Sequence, residues 1–217
     1  MNVEVREFKD DDVSEVVNLF NVIFQGAYYG YPMSKEKFLQ RLNNSDFYKA
    51  SLALDYKGKV GGFILANTAK KENKWCSSDK GFISLIMISP DLRGRGFGKA
   101  LLSDALNFLK EKEVREIEIS FNPLTFWPGI DSRWVEALAF FEQMGFRESG
   151  VSSSMLASLE TFKIPERILN KENELRKEKI RFRRYLKEDR EPLLNFIKRN
   201  FSYEWHEEVR SKIEKVK

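Results

Sequence analysis

Apolar and polar residues alternate along Val3-Glu-Val-Arg-Glu-Phe8, the period of a half-buried strand. The acidic run Asp10 to Asp12 follows and offers an N-cap, with negative charge at the positive end of a helix. Val13, Val16, Val17, Phe20 and Phe24 supply that helix's apolar stripe. After the tyrosine-rich Gly26-Ala-Tyr-Tyr-Gly-Tyr-Pro32, Ser34 caps a second helix to about Leu42. Ala50 to Tyr56 and Val60 to Ala66, joined by Lys57-Gly58-Lys59, read as a β-hairpin. Phe82 to Ser89 is almost wholly apolar, as a strand covered on both faces requires, and Pro90 ends it. Arg93-Gly-Arg-Gly-Phe-Gly98 opens a helix striped by Ala100, Leu101, Ala105, Phe108 and Leu109. Glu116 to Phe121 alternates as a further strand, Trp134 to Met144 is helical with Gly145 as C-cap, and Arg147 to Ser149 with Ser154 to Leu159 suggest a last hairpin. The predicted architecture is α/β: a mixed, mostly antiparallel sheet flanked by helices.

The pattern then starts again. Setting Val3 over Ile180, an offset of 177 holds without a gap to Phe24 over Phe201. Arg6 falls on Arg183, Asp12 on Asp189 and Asn18 on Asn195, and Val5/Phe182, Phe8/Tyr185, Val16/Leu193, Val17/Leu194 and Leu19/Phe196 keep their apolar character. Any amphipathic strand followed by a helix would match in part, so the repeat is an expectation for the structure to meet. It divides the chain into a domain over 1–160, a charged linker over 161–178 that begins near Pro165, and a partial repeat over 179–217 holding a first strand and helices only.

Composition narrows the function classes. Among 217 residues there are one cysteine, Cys76, and one histidine, His206, too few for a zinc cluster, an internal disulfide or a Cys/His nucleophilic pair, so no metal is expected. Mean hydropathy is −0.47 and no apolar run reaches membrane-spanning length; with no basic-then-apolar leader after Met1, the expected location is cytoplasmic, away from membranes. Net charge is +4, and Lys179 to Lys217 holds 12 basic and 7 acidic residues, so the excess lies in the tail. There the signs are interspersed with apolar residues at helical spacing, the pattern of a solvated helix face rather than a nucleic-acid surface. Phe196, Ile197, Phe201, Trp205 and Val209 have no complete second domain to bury them. They are expected to dock on the first domain or on a second copy of the chain, with a homodimer as the expected state.

A glycine turn between a strand and a helix gathers backbone N–H groups at the positive end of the helix dipole, where a phosphate can be held. Arg93 to Lys99 has that form, but Arg93 and Ala100 break a Walker A loop, and Lys99 stands where a dinucleotide fingerprint needs its third glycine. The alternative is a turn needed only for close packing of strand and helix. Arg93-x-x-Gly96-x-Gly98 resembles the coenzyme A signature of the GNAT superfamily of acyl-CoA-dependent N-acyltransferases, which there also lies between the fourth strand and third helix. Ala137 to Phe146 is similar to that family's helix ending in aromatic-x-x-x-Gly-Phe, so the resemblance covers about residues 3–159. The restart at Ile180 further resembles tandem members of the superfamily.

The resemblance implies acetyl-CoA or another acyl-CoA as co-substrate. Ile86, Met87 and Ile88 would pair with the pantetheine arm, and Arg93, Gly94, Arg95, Gly96, Phe97, Gly98 and Lys99 would hold the pyrophosphate. It implies transfer of an acetyl group to a primary amine of a small molecule or peptide by direct attack. Two positions depart from the family: Phe141 stands where a tyrosine often protonates the departing thiolate, and Trp134 where an asparagine often contacts the coenzyme. The strand Phe82 to Ser89 carries no carboxylate. Candidate bases are Glu118 and Asp131, each of which would also suit an ordinary exposed or capping role, and Tyr31, with Tyr28 and Tyr29, is the candidate acid or substrate contact, with aromatic packing as its alternative. A non-catalytic acyl-CoA-binding or structural module, a degenerate unit, is the competing reading.

Overall fold

The computed structural model describes residues 3–24, 32–43, 47–73, 76–119, 129–151, 153, 158, 160–201 and 203–213. They divide into two compact units, Met1–Ser149 and Gly150–Lys217.

In the first unit the chain forms β1 (Val3–Glu7), α1 (Val13–Ile23), α2 (Lys35–Leu42), β2 (Phe47–Tyr56), β3 (Lys59–Ala69), β4 (Lys80–Ile88), α3 (Phe97–Glu111), β5 (Glu116–Ile119) and α4 (Val135–Gln143). The strands lie in sequence order, antiparallel from β1 to β4 and parallel between β4 and β5. The β2–β3 hairpin turns through Lys57 (φ 56°) and Gly58 (φ 77°), both left-handed as a two-residue hairpin turn matching the strand twist requires. Asp55 closes the turn by accepting from the Gly58 amide at 3.0 Å. Ser34 caps α2 as expected, accepting from the Lys37 amide.

Two apolar layers cover the sheet. On one face Val16, Val17 and Phe20 of α1 and Phe38 of α2 cluster with Phe63, Leu65, Leu85 and Met87. Phe63 is fully buried between Phe8 and Phe38, with ring centroids 5.4 and 5.6 Å away, and burial of such a side chain stabilises by about 2–3 kcal/mol. On the other face Leu101, Leu102, Ala105 and Leu109 of α3, with Phe141 of α4, cluster with Leu54, Ile64, Ala66 and Ile83.

The acidic run before α1 does not cap it through a side chain as expected: Asp12 is the N-cap residue but makes no side-chain hydrogen bond into the helix, its carboxylate being engaged on the other side. Asp10–Asp12 forms a 3-10 turn, and the Asp12 carboxylate accepts the Lys9 amide at 2.8 Å and the Arg6 guanidinium at 2.7 and 2.9 Å. Arg6 also reaches Asp55 of β2 at 3.3 Å, so one arginine ties β1, the helix entry and β2 together.

The second unit consists of α5 (Glu166–Lys177), α6 (Arg190–Asn200) and α7 (Tyr203–Ile213). Immediately before α6, Arg183 donates to Asp189 at 2.5 Å through both terminal nitrogens, and Asp189 accepts the Leu186 amide at 2.8 Å within a 3-10 turn, Lys187–Asp189. Arg183 also donates to the Arg184 carbonyl at 3.2 Å, as Arg6 does to that of Glu7 at 3.1 Å. These contacts of Arg6 and Asp12 thus recur 177 residues later between the same residue types. Two expectations differ. Residues 180–186 carry no regular secondary structure and join no strand ladder among the described residues. Residues 147–151 form no strand either, and most of the expected partner segment, 154–157 and 159, lies outside the described residues.

Candidate functional site

The site is built at the carboxyl end of β4. β4 pairs with β3 from Gly81 to Ile88, and its described parallel ladder with β5 covers Lys80–Ile83 against Glu116–Ile119, where the described part of β5 ends. The three residues expected to pair with a pantetheine arm, Ile86, Met87 and Ile88, lie at that end of β4, beyond the described ladder with β5.

At the carboxyl end of β4 the chain makes a 3-10 turn, Pro90–Leu92, and enters the glycine loop. Leu92 anchors it: the side chain is buried against β3 where Gly61 leaves room, since a Cβ at Gly61 would lie 2.5 Å from Leu92 Cδ1. The arginines brace the loop from outside. Arg93 Nε donates to the Ile88 carbonyl at 3.3 Å, and Arg95 donates to the Asp91 carbonyl at 2.9 Å. Sequence reasoning treated both as basic neighbours of a diphosphate and missed this bracing role. Ser89 hydrogen-bonds Asp91, holding that carboxyl below its usual range.

Gly94 (φ 71°) and Gly96 (φ 82°) adopt left-handed conformations, which a side chain would strain, and no atom lies within 4 Å of a Cβ placed on either. The loop therefore presents bare, exposed backbone directly before α3. The first amides of α3, at Phe97 to Lys99, precede its first intrahelical bond, from Ala100 N to the Gly96 carbonyl at 3.1 Å. Bare backbone, open space and the positive end of a 15-residue helix suit a diphosphate. The residues present fit a coenzyme A phosphate group.

The candidate bases are each held by a cation. Glu118 accepts from Lys80 at 2.7 Å, which raises the lysine's pKa through that hydrogen bond. Asp131 is gripped by Arg133 at 2.5 Å and accepts its backbone amide as well, so its carboxyl is lowered to about 2 and it is a weak base. Tyr28, Tyr29 and Tyr31 lie outside the described residues. Phe141 is buried, edge-on to Phe140 and Phe146 with ring centroids 5.2 and 5.3 Å away, a packing role. Trp134 precedes α4 and packs 5.2 Å from Phe24 at the end of α1. Among the described residues no group of three His, Cys, Asp or Glu could hold a metal ion.

One feature escaped the sequence reading. Asn67 of β3 donates to the Ser84 hydroxyl at 2.6 Å with both side chains buried. Its only signal was a lone serine within the apolar run Phe82–Ile88.

Comparison with known proteins gives the same picture. A family model described as the Acetyltransferase (GNAT) family matches residues 13–146, which include β4, the glycine loop, α3 and α4. An uncharacterised N-acetyltransferase of Methanocaldococcus jannaschii is 25% identical over 162 residues, covering 70% of this chain and 64% of the relative. A glucosamine N-acetyltransferase region of a fungal multi-domain GH3 β-N-acetylglucosaminidase superposes with a TM-score of 0.78 at 27% identity, covering 98% of this chain and 24% of the fungal one. The chain thus spans less than two thirds of either relative's length. A transcriptional regulator of Bacillus halodurans C-125 shares the fold alone, at 18% identity and a TM-score of 0.55 over 72% of this chain and all of the regulator. With the family model matching more than half of its length, over the elements that carry the glycine loop, this chain belongs to the GNAT family of acetyltransferases.

Proposed function

We propose that the protein transfers an acetyl group from acetyl-CoA to a primary amine of a small molecule, an amino sugar being the first acceptor to test. The observation that carries this reading is the bare glycine loop at the carboxyl end of β4, directly before α3. The amides from Gly94 to Lys99 bind the diphosphate, the β4 edge from Ile86 to Ile88 aligns the pantetheine arm, and Leu92, Arg93 and Arg95 keep the loop in shape. Bound acetyl-CoA supplies an activated acetyl group, which passes to the amine nitrogen as the C–S bond breaks and the amine gives up a proton. Holding the two reactants in register supplies much of the rate. The amino-sugar choice is supported by the fungal region, which is named for glucosamine.

With Glu118 tied to Lys80 and Asp131 held near 2, neither carboxylate is assigned the attacking amine's proton. Release of coenzyme A with glucosamine is therefore expected to rise with pH through the acceptor's own amine pKa and then level off. The assay should include an aminoglycoside and a peptide with a free N-terminus. Coenzyme A binding without turnover on any of these amines overturns the catalytic reading. It would favour a non-catalytic acyl-CoA-binding module, the reading to which the buried phenyl ring of Phe141 lends support.

We also propose that residues 179–217 begin a partial second unit of the same type. The recurring arginine–aspartate clamp supports this. So does the helix after it, where Leu194 and Ile197 are buried like Val17 and Phe20 at the matching positions. Phe196 and Phe201 are more than half exposed, although their counterparts Leu19 and Phe24 are buried, and a second copy of the chain is the proposed cover. Ending the chain before Lys179 is expected to convert a dimer into a monomer in light scattering. An unchanged oligomeric mass per chain overturns the proposed dimer.

A further inference from the structure

Helix α4 touches both apolar layers of the first unit. Phe140, Phe141 and Met144 pack with the layer that α3 covers, whereas Trp134, the N-cap residue of α4, packs with the layer formed by α1 and α2. Its indole lies 5.2 Å from the Phe24 ring at the end of α1, and Phe24 lies 4.5 Å from Phe20. Phe20 and Phe24 are buried and Trp134 is half-buried, so three rings join the end of α1 to the start of α4 as one aromatic wall. The choice of tryptophan there goes against local preference. An N-cap favours serine, threonine, aspartate or asparagine, and Trp134 makes no side-chain hydrogen bond into the helix. A residue that breaks a local rule marks a position where another requirement governs.

The wall has a definite place relative to the glycine loop. A Cβ at Gly98 would meet Phe140 at 3.6 Å and Ile88 Cγ1 at 3.8 Å, so α4 passes the loop at Phe140, beside the end of β4. Trp134 precedes Phe140 by six positions, about 9 Å along a helix at the usual rise per residue. Met87, within the β4 run that aligns the pantetheine arm, is buried in the same layer that the indole joins. An arm that starts at the loop and follows β4 is therefore flanked, away from its diphosphate, by the start of α4. An acyl group at its far end meets aromatic surface that carries no charge and, being packed on α1, yields little to added volume.

We propose that Trp134 is a specificity-determining residue for the acyl group: its indole, braced by Phe24, limits the chain that the site accepts to about the size of acetyl. The inference rests on the reading of the glycine loop and β4 as an acyl-CoA site and deepens it by naming the acyl class. Coenzyme A carries no acyl group, so its affinity is set at the loop and along β4 and not by the indole.

Calorimetry on the full chain with coenzyme A, acetyl-CoA and butyryl-CoA separates the possibilities. The parent protein is expected to bind acetyl-CoA more tightly than butyryl-CoA. Trp134→Ala removes the indole, and the two extra methylenes of butyryl, each worth about fourfold when buried, should then move the preference toward butyryl-CoA by about fifteenfold, with coenzyme A affinity unchanged. Trp134→Phe keeps a smaller ring beside Phe24 and is expected to move the preference the same way by less. A parent that prefers butyryl-CoA, or an unchanged preference in Trp134→Ala, overturns the specificity role while leaving the coenzyme site standing. Equal weakening of all three ligands shows a purely structural indole and also overturns it. A parent that binds none of the three overturns the coenzyme site itself, and the specificity role with it. If Trp134→Ala does not fold, Trp134→Phe decides, and an unchanged preference there overturns the inference.

Discussion

Gly96→Asp is expected to lower coenzyme A affinity at least about 100-fold, close to 2.7 kcal/mol, as measured by calorimetry. Two effects add. Gly96 sits at φ 82°, where a side chain costs about 1 kcal/mol or more, and the new carboxylate would occupy the amide-lined end of α3 that the diphosphate requires. The bound anion would then face a like charge in place of bare backbone. The fold should survive, because Gly96 is exposed and a Cβ there meets no atom within 4 Å. Gly98→Ala is the milder contrast: its Cβ would touch Phe140 at 3.6 Å, an ordinary contact. Parental affinity in Gly96→Asp would show that the loop does not hold the diphosphate.

Asp12→Asn is expected to cost about 3 kcal/mol of stability, a large share of the 5–15 kcal/mol typical of a domain. The Asp12 side chain is only 10% exposed, so the variant removes the closer of the two carboxylates that pair with the Arg6 guanidinium, at 2.7 Å, and leaves it the contact to Asp55 at 3.3 Å. The loss should appear as a lower urea midpoint with an unchanged slope. Its pH dependence has a definite sign. The hydrogen bond from Arg6, aided by the Lys9 amide, holds the Asp12 carboxyl below its ordinary value in the folded protein. The stabilisation is therefore complete above the ordinary carboxylate range near 4 and is lost as pH falls through the depressed folded value. Parent and variant should converge on acidification. A constant gap between them at every pH would mean that Asp12 acts through shape and not through charge.

The elements most legible in the sequence were those whose signals are local. The caps, stripes and alternation of α1, α2, α3 and β1 each arise within a dozen residues, so the residue pattern is enough to place them. Strand ends were less legible: β2 begins at Phe47 and β3 runs to Ala69, beyond the expected limits, because cross-strand pairing extends a strand past its apolar run. The glycine loop was legible because left-handed backbone at a helix entry restricts residue type. The cation that holds Glu118 was not, since Lys80 is 38 residues from it in the chain.

The two clamps show where the boundary runs. An arginine six residues before an aspartate closes the same turn at Arg6 and at Arg183, because every atom involved lies within one short segment. What differs is what each clamp meets. Asp55 and the sheet lie against Arg6, while Arg183 and the segment around it join no ladder among the described residues. The bulge at Ser84 belongs with the second kind of fact. Ser84 becomes an extra residue only by comparison with β3, and a buried partner of Asn67 only because two residues 17 apart in sequence are brought side by side on neighbouring strands. Local backbone chemistry is written in neighbouring residues, whereas burial and pairing register are relations between distant segments that exist only once the sheet has assembled.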